Sequence, residues 1–216
     1  MSKFTISIEA NIGVGKSTFL ENISKYYAQE FNTITEPLED WLKKFSDVDN
    51  NILGLLYENQ DRWAYTFQHN AFLTRVQKLE TEYDDSKINI TERSVLSDYN
   101  VFAKMLYHDK KLNEIEWKIY LNWMDFLTKK FDVKPNVIIY LRLDPKIAYE
   151  RIKKRHRDEE STIPFEYIKR LHEYHENWIM NECDIPVIVL DASQNFKDDI
   201  KIFDEFMEII KKSTKN

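Results

Sequence analysis

Apolar and polar residues alternate along Phe4-Thr5-Ile6-Ser7-Ile8, the period of a strand, and Phe19, Leu20 and Ile23 follow with the spacing of a helix face. The same two periods trade places to the end of the chain. A short strand is expected at Thr33-Ile34-Thr35, closed by Glu36-Pro37 because proline cannot continue the pairing. A largely helical stretch comes next, including a long helix from about Arg62 to Glu82, and the polar turn Asp84 to Lys87 leads into a third strand, Ile88-Asn89-Ile90-Thr91, stopping at Glu92-Arg93-Ser94. Helices are expected around Val95 to Leu106 and Asn113 to Phe131. Val137 to Leu141 is an almost unbroken apolar run, as a strand buried on both faces requires. Asp144-Pro145 reads as a helix start, since Asp accepts from free N–H groups and Pro suits the first turn. Ile163-Pro164 opens another helix, Ile185 to Leu190 gives a fifth strand, and a final amphipathic helix runs from about Phe196. Five strands separated by helices imply an α/β fold with a parallel sheet, right-handed crossovers and helices on its faces. Functional residues then belong at the carboxyl ends of the strands.

The first of those ends carries Glu9-Ala10-Asn11-Ile12-Gly13-Val14-Gly15-Lys16-Ser17-Thr18. Between a strand and a helix, backbone N–H groups of such a loop converge with the helix N-terminus on one point and stabilise an anion there. The ligand that fits is a phosphate chain, with Lys16 on its outer phosphates and the Ser17 hydroxyl on Mg²⁺, as in a P-loop. Ala10 stands where the pattern has its first glycine, which is tolerable if that residue keeps a negative φ. The chain has three glycines in all, and two of them lie here, which an incidental turn does not require.

Length and charge narrow the class. The 216 residues suit one domain, read here as 1–216 with the phosphate loop at 9–18, and no run approaches the length of a membrane span. A net charge of −6 argues against a sequence-independent nucleic-acid binder. The single cysteine, Cys183, excludes an internal disulfide and a cysteine-rich metal site, and reads as a half-buried side chain. With the first strand starting near residue 3, no presequence is expected and the cytoplasm is the expected compartment.

Other strand ends supply the rest of a phosphotransfer site. A small-molecule kinase needs a carboxylate beside the acceptor hydroxyl, a cation over the moving phosphoryl group and a carboxylate near the metal, and Glu36 and Glu92-Arg93 meet that need. Asp144 is better read as a helix cap. The run Arg151 to Glu160 is the densest in charge; Arg151 and Arg155 share a helix face and Arg157 follows, so three guanidinium groups are expected over the phosphates as a lid, about 151–163. His172 and His175 lack a third ligand and read as surface or core. Trp41, Trp63, Phe67 and Phe102 suit a core, while Gln68 among rings can pair with a base edge.

Taken in order, Glu36-Pro37 with Trp41, Tyr57 before Trp63 and Phe67-Gln68, Glu92-Arg93-Ser94, and Arg151 through Glu160 to Ile163-Pro164 resemble the deoxynucleoside kinase family over nearly the whole chain. The resemblance implies a P-loop kinase three-layer fold with a five-stranded parallel sheet, helices on either side and an arginine-rich lid, and a reaction in which Mg·ATP phosphorylates the 5′-hydroxyl of a deoxyribonucleoside for nucleotide salvage. By it, Glu36 is the general base, Arg93 steadies the hydroxyl and incoming charge, and Glu92 joins Ser17 in the Mg²⁺ shell. Lys16 with Asn11, Ile12, Gly13, Val14, Gly15 and Thr18 holds the triphosphate, Arg155 and Arg157 close over it, and Arg151 with the Asn195-Phe196 backbone borders the adenine. Tyr57 and Glu160 take the sugar 3′-hydroxyl, Phe67 and Phe102 wall the base, and Gln68 pairs with it. Arg75 and Asp98 match members that accept cytosine or purines, so deoxyadenosine, deoxyguanosine or deoxycytidine is expected ahead of thymidine. The family also implies a homodimer, which apolar positions in the helices around 62–82 and 113–131 permit.

Two other readings stay open at this point. A thymidylate kinase-like enzyme shares the loop and the lid but requires added cations for its acceptor phosphate, which Glu36 would repel. A P-loop ATPase or switch would promote Asp144 to metal ligand; a GTPase switch would carry D-x-x-G and N-K-x-D segments, and the chain has neither.

Overall fold

The computed structural model describes residues 4–43 and 51–214. In chain order these form β1 (Thr5–Glu9), α1 (Lys16–Tyr26), β2 (Phe31–Ile34), α2 (Leu38–Lys43), α3 (Ile52–Glu58), α4 (Gln60–Glu82) and β3 (Ile88–Glu92). There follow α5 (Val95–Ser97), a π-helical turn (Asp98–Ala103), α6 (Lys104–His108), α7 (Glu114–Lys130), β4 (Val137–Arg142) and α8 (Pro145–Arg155). A 3-10 turn (Asp158–Glu160), α9 (Phe165–Asn177), a second π turn (Trp178–Glu182), β5 (Val187–Asp191) and α10 (Ile200–Thr214) complete the chain. The strands form one parallel sheet in the order β2-β3-β1-β4-β5, as the α/β reading requires.

Strand β1 is central, and the chain leaves it first toward β2 and β3 and later toward β4 and β5. Its carboxyl end is therefore the place where a parallel sheet opens a crevice between diverging crossovers. All five β1 residues are buried, so the polar half of its alternation, Thr5, Ser7 and Glu9, faces protein and not water. β4 matches its apolar reading, with Val137 through Leu141 buried. Asp144 caps α8, its Oδ1 accepting from Lys146 N–H at 2.7 Å with Pro145 in the first turn.

Several boundaries differ from the periodicity, each for a local reason. β2 begins at Phe31, two residues before the expected start, because Phe31 pairs with Ile88 and Glu30 O accepts from Ile88 N–H at 3.1 Å. The helix expected from Val95 to Leu106 is interrupted by the π turn. β5 spans Val187–Asp191 and not 185–190, since Pro186 has no N–H to pair and offers only its carbonyl, to Ile138 N–H at 2.9 Å. The last helix starts at Ile200, where Asp199 Oδ1 accepts from Lys201 N–H at 3.0 Å; Phe196 lies in the preceding turn with its ring edge-on to Phe19 at 5.5 Å. The helical stretch expected between Pro37 and Arg62 is seen as α2 and α3, and its middle lies outside the described residues.

Candidate active site

The loop between β1 and α1 is shaped by two glycines. Gly13 has φ 80°, and a Cβ there would stand 2.4 Å from Ala148 O on α8; Gly15 has φ 112° with the Phe196 ring 3.3 Å from the same imagined atom. Left-handed backbone and contact both exclude a side chain at Gly13. Positive φ among the described non-glycine residues is confined to Arg93, Lys110 and His156, so Ala10 keeps the negative φ its side chain needs. Asn11 fastens the loop, donating to Ile168 O at 2.8 Å and accepting from Ile12 N–H at 2.8 Å. Lys16 Nζ donates to Asn11 O at 3.3 Å. Burial, with Arg93 close by, lowers the Lys16 pKa to about 7 against the opposing pull of Glu92 and Glu36. An anion in the loop would add negative charge beside this ammonium and favour its protonated form. Ser17 Oγ donates to Glu92 Oε1 at 2.9 Å, which sets two hard oxygen groups side by side, a donor set suited to Mg²⁺.

Beside this cradle stands a buried ionic chain. Glu36 Oε1 accepts from Arg93 Nη1 at 2.8 Å and from Arg75 Nη2 at 3.0 Å. Arg75 also holds Asp98 through Nε at 2.8 Å and donates from Nη1 to Glu92 O at 2.7 Å, so one guanidinium links three strand- and helix-end residues. Burial by itself would raise Glu36, but Arg93, Arg75 and Lys16 outweigh it and hold the carboxylate at about 2. For Asp98 burial wins, and its pKa is raised despite Arg75. Arg93 lies over the Phe102 ring, 5.0 Å from its centroid, and Arg75 over Trp41 at 5.8 Å. The π turn carries Asp98 and Phe102, and both face the same cavity.

That cavity, about 510 Å³, is lined by the phosphate loop at one end and by Trp41, Phe67, Gln68, Ala71, Asp98 and Phe102 at the other. Trp41 packs edge-on to Phe67 at 5.3 Å and satisfies its indole N–H on Thr74 Oγ1 at 3.0 Å. Gln68 is 2% exposed, and its Oε1 has no partner among the described residues. A buried amide oxygen left open on an aromatic slot is a free acceptor for a ligand. Tyr57 and Glu160 also line the cavity; burial, then Tyr167 and Glu160, pushes the Tyr57 phenol well up. Glu160, itself buried, accepts from Arg155 and, at 2.8 Å, from Arg157 Nη1. His156, left-handed at φ 52°, ends α8 and turns the chain between these two arginines.

Lys16, Ser17, Thr18, Glu36, Trp41, Tyr57, Phe67, Gln68, Arg75, Glu92, Arg93, Asp98, Phe102, Arg155, Arg157 and Glu160 thus line one space, together with Ile12, Gly13 and Gly15. Arg151 does not join the other two arginines over it. Its Nη1 donates to Val14 O at 2.8 Å and its Nη2 to Ala192 O at 3.2 Å, tying the back of the phosphate loop to the turn after β5. Asn195 is exposed and Phe196 is buried beneath Gly15, so that turn offers backbone and not rings. Asp144 is spent on its cap. His175 is core: burial lowers its pKa to about 3, and its ring stacks on Tyr140. Sequence reasoning missed Glu9, a buried acid behind the site, and the grip of Arg75 on Glu36 across 39 positions. The only signal for Glu9 was an acid at the end of the strand that leads into the glycine loop.

The chain matches the deoxynucleoside kinase family model over residues 6–215. It is 39% identical over 199 residues to a probable deoxycytidine kinase of Fowlpox virus, covering 90% of this chain and 81% of that protein. It is 35% identical over 222 residues to the deoxycytidine kinase of Homo sapiens, covering 89% and 85%. With the mitochondrial deoxyguanosine kinase of Xenopus laevis it shares 36% over 233 residues, covering 95% and 88%.

Proposed function

The chain belongs to the deoxynucleoside kinase family and is an ATP-dependent phosphotransferase acting on the 5′-hydroxyl of a deoxyribonucleoside in salvage; from that premise we propose which residue does what, and for which bases. Residues 1–216 act as one kinase domain. The observation that carries the assignment is that Lys16, Ser17, Glu36, Glu92 and Arg93 all face the cavity that also holds the open Gln68 amide.

Backbone N–H groups from Asn11 to Thr18 and the Lys16 ammonium hold the triphosphate. Ser17 and Glu92 are the groups to hold Mg²⁺, which supplies charge neutralisation on the phosphate oxygens. Arg151, with the Asn195-Phe196 backbone, borders the adenine from behind the loop. The sugar 3′-hydroxyl lies against Tyr57 and Glu160, so seating the sugar draws Glu160 toward it and frees Arg155 and Arg157 for the phosphates. Glu36 accepts the 5′-hydroxyl proton. A carboxylate held near 2 is a weak base, but phosphoryl transfer through a loose transition state asks chiefly for an oriented acceptor, and Arg93 orients it.

The pocket takes deoxyadenosine, deoxyguanosine or deoxycytidine ahead of thymidine. Gln68 pairs with the base between Phe67 and Phe102, and Asp98, held by Arg75, presents an acceptor to an exocyclic amino group, which thymine lacks. The names of the relatives, deoxycytidine and deoxyguanosine kinases, agree with that chemistry. A phosphorylation assay of the four deoxynucleosides with Mg·ATP tests it, and thymidine with the highest kcat/KM would refute it.

Two copies pair through α4 and α7. Ile115, Ile119, Trp123 and Phe126 fall on one side of α7 at spacings of a helix face and are exposed, as is Leu73 on α4. Among the described residues no helix is long and apolar enough to cross a membrane, and the cytoplasm is the proposed compartment.

A further inference from the structure

Arg93 stands just past β3 with a left-handed backbone, φ 63°. A side chain holds that conformation only when its surroundings over-determine it. On one side the constraint is the sheet, for Arg93 N–H donates to Ile8 O at 3.0 Å and prolongs the pairing with β1. On the other side it is Glu9. Ser94 N–H and Ser94 Oγ both donate to Glu9 Oε1, at 2.9 and 2.7 Å, and Ser7 Oγ reaches the same oxygen at 2.6 Å. The chain is pulled inward one residue after Arg93, and the Arg93 side chain is turned over the phosphate loop, where it reaches Glu36 and, at 3.3 Å, Ala10 O.

Glu9 is 0% exposed and forms no part of the cavity wall. Burial raises its pKa, and its second oxygen has no partner among the described residues, as is also true of Arg93 Nε. An apolar side chain would be the cheaper tenant of such a site, so the carboxyl is explained by what it grips.

We propose that Glu9 is a positioning residue for phosphoryl transfer: by gripping Ser94 it fixes the Arg93 backbone, so that the guanidinium meets Glu36 and the reacting group. The proposal rests on the assignment of Arg93 to the reaction. The test is a double-mutant cycle on the full chain, with steady-state kinetics in Mg·ATP and deoxycytidine. Glu9→Leu is expected to lower kcat about 10- to 100-fold, the size of an ångström-scale misplacement, with both KM values within about threefold. Glu9→Gln, whose amide oxygen still accepts from Ser94, keeps kcat within about threefold. Arg93→Ala loses at least as much as Glu9→Leu, and the pair together loses no more than Arg93→Ala alone. Losses that multiply, or unchanged turnover in Glu9→Leu, overturn the proposal while leaving Arg93 in its role. Near-normal turnover of Arg93→Ala removes that role and the proposal with it. If Glu9→Leu does not fold, Ser94→Ala, which removes one of the two grips, takes its place in the cycle. It is expected to cost about three- to tenfold in kcat, and only where Arg93 is present; a loss that persists beside Arg93→Ala, or no loss at all, overturns the proposal equally.

Discussion

The two ends of the cavity are built by different means. At one end a single run, Ile12 to Thr18, supplies the cradle residues, its backbone shaped by Gly13 and Gly15 and fastened by Asn11, with Lys16 and Ser17 adding side chains. At the other end the residues come from separate elements: Glu36 follows β2, Gln68 and Arg75 lie on α4, Arg93 follows β3, and Asp98 and Phe102 sit on the π turn. A backbone cradle tolerates a change of side chain wherever φ and space allow, whereas an ionic chain of buried groups fails when one member is withdrawn.

That contrast can be tested from its most fragile point outward. Arg75→Met should cost about 3–5 kcal/mol of stability, because Asp98 is left buried without its cation while Glu36 keeps only Arg93, and chemical denaturation measures it. A loss under about 1 kcal/mol would mean the network is no more fragile than a surface pair. Glu36→Gln should lower kcat by at least about a hundredfold with nucleoside KM little changed, as removal of a group acting on the reacting proton does. Turnover near that of the unaltered enzyme would take Glu36 out of the reaction.

Within the cradle, two exchanges of alanine and glycine should behave oppositely. Gly13→Ala should raise the KM for ATP at least about tenfold, since its Cβ meets the Ala148 carbonyl and its φ is positive. Ala10→Gly should change that KM by less than about tenfold, or roughly 1.4 kcal/mol. Equal effects would show that φ and space do not govern the loop. The smallest effect is one of pH. Lys16 is charged below its folded pKa of about 7 and loses its charge as pH rises through it, so kcat/KM for ATP should decline above pH 7. With triphosphate bound the ammonium keeps its proton, and kcat should hold to higher pH. Parallel decline of both would place the titration elsewhere.

Much of this was legible in the residues because it is local. The phosphate loop, the Asp144-Pro145 cap and the buried run of β4 each follow from neighbours within one turn or one strand, and the structure has them where the pattern placed them. Arg151 was misjudged for a reason of the same kind: sharing a helix face with Arg155 says which way a side chain leaves α8, not that Val14 O and Ala192 O stand there to receive it. The last helix, expected from about Phe196, starts later, since the Phe196 ring packs under Gly15 and the helix begins after Asp199, which caps it.

Sequence by itself determined the alternation of strands and helices, the anion-binding loop and the identity of the chemical groups at the strand ends, because each depends on periods of two or 3.6 residues or on the conformational freedom of glycine. Tertiary structure alone decided that Arg75 clamps Glu36, that the Gln68 oxygen is left open, and that Glu9 pulls Ser94 inward and turns Arg93 over the loop. Those contacts join residues 39 to 85 positions apart, and their strength comes from burial, a property that no stretch of chain possesses until the rest has packed around it.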